Sequence, residues 1–438
     1  MLDIRIVRED LDGVKRALAT RGVEASVLDE LWETDRRARA ASTRRDELRA
    51  EINSISKEIA QLMRSGDTES GNALREKSRS IGEELSELES KASELEEERR
   101  DALLKLPNIP SAETPVGSSE LDNVVVRWWS PQRGMQNGPD IDLPEYADYQ
   151  KKPHWEIGSE LKILDLERAA KISGSMFPMF RGLGATLERA LTSFALDAHS
   201  DAFEEIRPPT LVRAATMVST GHLPKFEEDA YHLERDDLYA IPTAEVPLTS
   251  LAKDEILLEE DLPIRLTAFT ACFRREAGSA GRDTRGLLRL HEFDKVEILS
   301  YTTPAQAQDM HAELLSRAEG LLQRLGLTYR LLDLCTGDLG NSSKRTFDLE
   351  AYSPGTGLWL EVSSVSWFGD YQARRANIRY RNAETNQIEF IHTLNGSALA
   401  WARIWAVIVE TYRQGDGSVL IPEVLRPYMR NLDRITAD

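Results

Sequence analysis

Cysteine is scarce in this sequence of 438 residues, and long apolar runs and a basic charge balance are absent from it. The only two cysteines, Cys272 and Cys335, lie in apolar surroundings without metal-ligand spacing, so we expect buried free thiols and no disulfide. No run of about 18 uncharged apolar residues occurs, and the opening MLDIRIVRED lacks the apolar core of a signal peptide. The sequence therefore predicts a cytoplasmic protein with no membrane span.

An excess of basic residues is absent as well, because 55 Lys and Arg face 74 Asp and Glu, for a net charge of −19. This balance counts against nucleic-acid binding over the whole surface, although it leaves room for a local basic stripe. The patterns GxxxxGK[ST] and GxGxxG do not occur, which excludes a P-loop and a Rossmann nucleotide site. With 41% apolar and 29% charged residues, the chain is typical of a globular protein of two or three domains.

Proline is missing from residues 28–106, where two apolar seams predict two long helices. The residues of the first seam are spaced by steps of four and three: Leu48, Ile52, Ile55, Ile59 and Leu62. Those of the second seam are Ile81, Leu85, Leu88, Ala92 and Leu95. The polar segment RSGDTESGN (64–72) between them predicts a turn, and Pro107 and Pro110 end the pattern. We predict a long antiparallel helical hairpin, a coiled coil.

Basic residues crowd parts of this hairpin, namely Arg36, Arg37, Arg39, Arg44, Arg45, Arg49, Arg75, Lys77 and Arg79. Such a stripe could follow a phosphate backbone. A charged helix face is more often only solvated, and a spacer or a dimerisation element fits the hairpin about equally well.

From about residue 115 short β-like runs alternate with loops and a few helices, as in LYAIPTAEVPL, IRLTAFTACF and LWLEVSSVS. Their mixed order favours an α+β fold, an antiparallel sheet with helices packed on it, over repeated βαβ units.

The segment FRREAGSAGRDTRGLLRLHEFDKVE (273–297) reads as two strands flanking a loop that contains Ser279, Asp283 and Arg285. Because side chains alternate along a strand, we expect one sheet face to carry Arg274, Glu276, Arg289, His291, Phe293, Lys295 and Glu297. A solvated polar face is the alternative. An aromatic ring is costly to expose within a charged row, so Phe293 is better explained as a platform for a flat ligand.

A nucleotide suits this surface, because guanidinium groups bind phosphate in a fork and an aromatic ring stacks on a base. Carboxylates can hold an ammonium group or Mg²⁺, and Glu361 and Ser364 in LWLEVSS add hard oxygen ligands for magnesium. We expect NGSALAWARIW (395–405) to open a helix, with Ser397 near its N-terminus and Arg403 within it.

Residues 273–297 resemble motif 2 of the bacterial seryl-tRNA synthetases, which are class II aminoacyl-tRNA synthetases. Further segments resemble the same family in its order: STGHLPKFEED (219–229), PTAEVPL (242–248), LCTGDLG (334–340), TFDLEAY (346–352), FGDYQARRANIRYR (368–381), TLNGSALAWAR (393–403) and IPEVLRPYM (421–429). The resemblance covers the whole chain, including the hairpin.

The resemblance implies an N-terminal tRNA-binding domain at 1–110 with the coiled-coil arm, and a class II catalytic domain at 111–438. It implies a homodimer, with Pro209 near the interface, that uses L-serine, ATP with Mg²⁺, and tRNA(Ser), or also tRNA(Sec) where that tRNA exists. The implied serine-binding residues are Thr243, Ala244, Glu245, Glu297, Asn395 and Ser397. The implied ATP-binding residues are Arg274, Arg275, Glu276, Arg289, Leu290, Phe293, Glu361, Val362, Ser363, Ser364 and Arg403.

Among these, the resemblance makes Arg274, Glu361 and Arg403 catalytic and gives Mg²⁺ to Glu361 and Ser364. It assigns tRNA binding to Arg36, Arg37, Arg44, Arg45, Arg49, Arg75 and Lys77. In the implied reaction the serine carboxylate attacks the α-phosphorus of ATP, and a ribose hydroxyl of tRNA then attacks the seryl-adenylate. The sequence offers no evident catalytic base.

Three other functions compete with this one. A ligase that loads amino acids onto a carrier protein is expected to lack the hairpin. A non-catalytic interaction protein has no need for Arg274, Glu276, Glu361 and Arg403. A specialised second copy, linked to antibiotic self-resistance or natural-product biosynthesis, is compatible with the sequence.

The chain departs from the family after Glu361, where EVSSVSW replaces a stretch that usually resembles EISSCSN. It also has Trp401 and Trp405 in the helix of Arg403. Strand parity predicts a bulge near Ser363 if Ser364 is to face a metal. Compensated core packing explains Val365, Trp367 and the two helix tryptophans, and a reshaped wall of the adenylate pocket is the alternative.

Overall fold

The computed structural model describes residues 1–277 and 285–437. The loop residues Ser279 and Asp283 lie outside the described residues. The chain divides into two compact units, residues 2–106 and residues 107–438 together with Met1.

The N-terminal unit is entirely helical. Its helices are α1 (Ile4–Glu9), α2 (Leu11–Ala19), α3 (Ala25–Ser65) and α4 (Thr68–Lys105). The long helices α3 and α4 pack side by side, which confirms the predicted hairpin. The turn is shorter than the predicted segment 64–72, because Gly66 takes a positive φ of 87° and the Asp67 side chain immediately caps α4.

Both predicted seams meet inside the hairpin. The residues buried there, fully or in part, are Leu48, Ile52, Ile55, Ile59, Leu74, Ile81, Leu85 and Leu88. At the other end of α3, the carboxylate of Asp35 is fully buried and accepts hydrogen bonds from Arg8, Arg39 and Arg99. These arginines come from α1, α3 and α4, so one carboxylate joins three helices.

The second unit is built on a nine-stranded sheet with the order β2-β1-β10-β11-β12-β15-β9-β8-β3. The strands of this sheet are β1 (Val124–Ser130), β2 (Gly134–Asn137), β3 (Glu204–Glu205), β8 (Ile264–Phe273), β9 (Glu292–Thr302), β10 (Tyr329–Asp333), β11 (Arg345–Ser353), β12 (Leu358–Gly369) and β15 (His392–Ala400). Every pairing is antiparallel except β3 with β8. The predicted α+β class with an antiparallel sheet is confirmed.

The remaining strands form small sheets: β4 (Leu211–Arg213), β5 (Tyr231–Leu233), β6 (Leu238–Ala240), β7 (Ile256–Leu258), β13 (Arg379–Arg381), β14 (Ile388–Phe390), β16 (Val419–Leu420) and β17 (Arg434–Ile435). The helices are α5 (His154–Glu160), α6 (Leu166–Ser173), α7 (Leu183–His199), α8 (Ala214–Thr220), α9 (Glu245–Thr249), α10 (Ala307–Arg324), α11 (Tyr371–Ala376) and α12 (Trp401–Thr411).

The main core lies where α7, α10 and α12 pack on the large sheet, with Leu191, Leu314 and Ile404 fully buried in it. Trp401 and Trp405 are also fully buried in this core, and the Trp405 indole donates to the Gly184 carbonyl at 3.1 Å. No helix among the described residues is long and apolar enough to cross a membrane. Cys272 and Cys335 are buried free thiols, as predicted.

Candidate active site

The predicted pairing of the two strands around residues 273–297 is confirmed, but both strands are shorter than expected. β8 ends at Phe273 and β9 begins at Glu292, which pairs with Phe273. Beyond the strand end, the Arg274 amide still donates to the His291 carbonyl, and Glu276 adopts a φ of 53°. The prediction that Arg274, Glu276, Arg289 and His291 lie within strands is therefore wrong. The chain turns away because the Arg275 amide bonds to the Asp229 carbonyl.

The charged side chains nevertheless gather in one cavity, here called the first cavity. The residues lining it that the sequence predicted are Arg274, Glu276, Arg289, Leu290, Phe293, Lys295, Glu361, Val362, Ser363, Ser397 and Arg403. Arg289 forms an ion pair with Glu276, and the Arg274 guanidinium carbon lies 5.1 Å from the Phe293 ring centroid. Phe293 thus lies on a wall that also carries cations, which suits an anionic ligand with a flat ring.

Arg403 reaches this cavity from the first turn of α12. Its Nη1 donates to the Glu361 carbonyl at 2.6 Å and lies 3.8 Å from Glu361 Oε2, and its Nε donates to the Leu288 carbonyl. These contacts hold the guanidinium beside a carboxylate that remains half exposed.

A second cavity of about 210 Å³ adjoins the first. The predicted residues that line it are Thr243, Glu245, Arg274, Glu297, Glu361, Ser364, Asn395 and Ser397. Its buried end contains two carboxylates, because Glu297 is 0% exposed and Glu245 is 8% exposed. A small polar cavity with two buried carboxylates suits a small cationic ligand that also has a hydroxyl group.

Hydrogen bonds join these two carboxylates through one amide. Asn395 Nδ2 donates to Glu245 Oε2 at 3.0 Å and to Glu297 Oε1 at 2.8 Å. The other Glu297 oxygen accepts from Thr243 Oγ1 at 3.2 Å and pairs with Lys295 Nζ at 2.5 Å. Burial, and then the charge of Glu297, raise the pKa of Glu245 to about 7.

The two cavities share Arg274, Lys295, Glu361 and Ser397. Two cations and one carboxylate therefore stand where a ligand in one cavity would meet a ligand in the other. This junction can stabilise negative charge that moves between the two ligands.

Three predicted site residues are placed differently from the expectation. Ser397 lies in β15, opposite Glu297, because strand pairing extends to Ala400 and the helix begins only at Trp401. Ala244 is fully buried in a separate apolar cluster, and its side chain lines neither cavity. Arg275 lines neither cavity, and its guanidinium donates to the Glu228 carbonyl at 3.4 Å.

The predicted bulge occurs at Val362, since Leu349 pairs with Ser363 whereas Glu350 pairs with Glu361. The bulge lets Glu361 and Ser364 reach the second cavity together. Beyond it, Val365 is fully buried and Trp367 contacts His392 and Lys344. Among the described residues, the linings of both cavities include neither of them, nor Trp401 or Trp405, which favours core packing.

Sequence reasoning missed two residues that the structure brings to this site. Gln372 on α11 donates to Glu245 Oε1 at 2.6 Å, although 127 positions separate the two residues. His222 lines the second cavity and a larger neighbouring one of about 460 Å³. Burial, then the charges of Arg274, Lys295 and Arg375, lower the pKa of His222 to about 3, so its imidazole is neutral. The quoted motifs contained both residues, but no local signal pointed to their contacts.

Several of the basic residues of the hairpin lie on its surface and pair with acidic neighbours. Arg44 binds Glu84 at 3.0 Å and Arg49 binds Glu89 at 2.6 Å, each across the two helices. Lys77 likewise pairs with Glu51. Exposed pairs of this kind are weak because water screens them, so a phosphate can compete for these cations.

Comparison with protein families matches both units. Residues 1–110 match the family described as seryl-tRNA synthetase N-terminal domain. Residues 225–412 match the class II tRNA synthetase core domain of the G, H, P, S and T enzymes.

Whole proteins also resemble this chain. A serine–tRNA ligase of Geobacillus kaustophilus is 47% identical over 99% of this chain and 100% of its own length. The serine–tRNA ligase of Geobacter sulfurreducens is 46% identical over 99% of this chain and 100% of its own length. Among solved structures, the seryl-tRNA synthetase of Pyrococcus horikoshii complexed with ATP has a TM-score of 0.91 at 36% identity and 100% coverage of both chains. The cytoplasmic serine–tRNA ligase of Naegleria fowleri with AMP has a TM-score of 0.85 at 28% identity, covering 100% of this chain and 99% of that one.

Proposed function

This chain belongs to the seryl-tRNA synthetase family of class II aminoacyl-tRNA synthetases, and on that premise we propose that it activates L-serine with ATP and transfers serine to the 3′ end of tRNA(Ser). Where tRNA(Sec) is present, it serves as a second acceptor. The observation that carries the proposal is the junction at Arg274 and Lys295 between a cavity suited to a nucleotide and one suited to serine.

In the first half-reaction, a carboxylate oxygen of serine attacks the α-phosphorus of ATP in line. The bond from that phosphorus to the leaving oxygen breaks and pyrophosphate departs. We assign the adenine ring to Phe293, the adenine edge to Glu276, the α-phosphate to Arg274 and the γ-phosphate to Arg403. The protein then acts by positioning the reactants and by stabilising charge on phosphate oxygens.

Magnesium accompanies ATP at Glu361 and Ser364 in this proposal. Their carboxylate and hydroxyl oxygens both line the second cavity, and Glu361 also lines the first. Among the described residues, no group of three or more His, Cys, Asp or Glu side chains is arranged to hold a metal ion. The pair of Glu361 and Ser364 fits Mg²⁺, which typically binds one or two protein oxygens and completes its shell with phosphate and water. When bound, Mg²⁺ neutralises part of the triphosphate charge.

Serine recognition falls to the buried end of the second cavity. We place the ammonium group between Glu245 and Glu297, with Thr243, Asn395 and Ser397 around the hydroxyl. Lys295 already offsets one of the two carboxylate charges, so the pocket retains one negative charge for one ammonium group when Glu245 is ionised. A pocket that binds the hydroxyl rejects alanine, because its polar groups would be left unpaired.

We propose that this enzyme is a cytoplasmic homodimer. The edge of the large sheet supports the dimer, because β3 is a short exposed strand there and Pro209 just beyond it is exposed. Unpaired sheet edges are usually covered. The two free thiols suit a reducing compartment.

The experiment that tests the proposed function is exchange of labelled pyrophosphate into ATP. We expect exchange that depends on serine and magnesium, and we expect charging of tRNA(Ser) by the same preparation. Exchange that is indifferent to serine, or that follows another amino acid, would contradict the proposal. Among the residues that the structure describes, none that lines the two cavities favours the specialised second copy over this function.

The pocket also predicts a pH dependence of serine binding. The pKa of Glu245 is raised to about 7, and its neutral form attracts an ammonium group less than its ionised form does. As pH falls below about 7, kcat/KM for serine should therefore decrease, approaching about tenfold per pH unit for one group. The measurement is kcat/KM for serine at saturating MgATP between pH 5.5 and about 8.5, with the KM for ATP over the same range as the control. A flat profile would contradict the assignment of Glu245.

A further inference from the structure

The side-chain amide of Gln372 donates a hydrogen bond to the Glu245 carboxylate, although Gln372 does not itself line the second cavity. Gln372 Nε2 donates to Glu245 Oε1 at 2.6 Å and to the Thr220 carbonyl at 3.3 Å. Gln372 Oε1 accepts from Thr393 Oγ1 at 2.6 Å. The Gln372 side chain is fully buried, and each of its polar atoms has a partner.

These partners fix the orientation of the Gln372 amide. A carboxylate and a carbonyl can only accept, so the NH₂ group must face Glu245 and Thr220. The amide oxygen then faces Thr393, whose hydroxyl donates. A flipped amide would place its oxygen against the Thr220 carbonyl and the ionised Glu245 carboxylate, so the ionised state of Glu245 selects this one orientation.

We propose that Gln372, supported by Thr393, is the positioning residue that sets the affinity of this enzyme for serine by holding the Glu245 carboxylate against the pocket. The inference rests on the proposed function and deepens it. The residues placed around the substrate do not include Gln372, so its effect on serine passes through Glu245.

The charged groups around Glu245 determine how much the hydrogen bond from Gln372 affects its ionisation. Glu297 and Lys295 face it from β9, Arg274 faces it from beyond β8, and Asn395 donates to it from β15. On α11, Arg375 is turned to the carbonyls of Val218 and Leu223. The Gln372 bond favours the ionised carboxylate, which burial and Glu297 disfavour. Its loss would raise the pKa of Glu245 further and free the side chain to turn away from the substrate.

The test compares Gln372→Met, which keeps the length of the side chain, with Thr393→Val and Thr393→Ser. For Gln372→Met we expect the KM for serine to rise about tenfold or more, with kcat within about threefold and the KM for ATP unchanged. The acid limb of kcat/KM for serine should move to higher pH. Thr393→Val should also raise the KM for serine and move the acid limb to higher pH, but by less than Gln372→Met does. Thr393→Ser, which keeps the hydroxyl, should match the wild type.

Two outcomes would overturn the inference. One is an unchanged KM for serine and an unchanged acid limb in Gln372→Met. The other is an equal rise of the KM for serine and for ATP together with a lowered melting temperature, which would make Gln372 a packing residue only. If the wild type itself lacks serine-dependent exchange, the proposed function fails instead, so the two failures are distinguishable.

Discussion

Replacement of Arg274 by alanine is expected to reduce serine-dependent pyrophosphate exchange by about a hundredfold or more. Arg274 lines both cavities, and a cation that meets the phosphate chiefly in the transition state contributes on the order of 3 kcal/mol. Most of the loss should appear in kcat, because the ground-state contacts of ATP with Phe293, Glu276 and Arg403 remain in the proposed site.

The neighbouring arginine provides the matched control. Arg275→Ala removes the same charge one residue away, but its guanidinium contacts the Glu228 carbonyl and lies outside both cavity linings. We expect a loss of less than about fivefold. Equal losses in the two variants would contradict the assignment of Arg274 and would return Arg275 to the ATP site, where the family resemblance placed it.

The second large effect concerns the hairpin. Replacing residues 28–106 by a short linker should leave pyrophosphate exchange within about threefold of the wild type and remove tRNA charging. We assign the arm to the long variable arm of serine tRNA, where basic residues release counterions on binding. Normal charging without the arm would make it a spacer.

A charge-swap series tests the basic residues themselves. Changing Arg44 and Arg49 to glutamate should weaken tRNA binding and reduce its dependence on salt by about one unit of slope per lost contact. These changes also break the pairs with Glu84 and Glu89. The control adds Glu84→Arg and Glu89→Arg, which restores the pairs with their polarity reversed. Full recovery of tRNA binding in the control would mean that tRNA does not require Arg44 and Arg49 at their own positions.

The sequence predicted those parts of the fold that short-range periodicity controls. Both seams of the hairpin follow from the spacing of residues such as Leu48, Ile55 and Ile81. The pairing of β8 with β9 followed from two apolar alternations on either side of one loop. Strand parity also predicted the bulge that lies at Val362.

Contacts distant in sequence account for the errors. NGSALAWAR appears helical because alanine favours helices, yet Ser397 is in a strand because the backbone of β9 lies opposite it. Gln372 gave no signal, since its role depends on Glu245 in another helix. The side chains of Arg275 and Ala244 point away from both cavities although their sequence neighbours line them, and their assignment to the site stays a prediction.

The buried carboxylate of Asp35 has a mechanical consequence for the arm. α3 has 41 residues and is therefore a lever of about 60 Å, and Asp35 lies in its first third. A tilt of about 5° between the helices at that root would move the far end of the lever by about 4 Å, roughly the size of a phosphate contact. Arg8 of α1 donates to both oxygens of Asp35 and Arg99 of α4 donates to one of them, whereas Arg39 donates from the next turn of α3 itself. Three of these hydrogen bonds therefore join α3 to its neighbouring helices at the root, and together with the packing of α3 on α4 they oppose a tilt that would displace the tip.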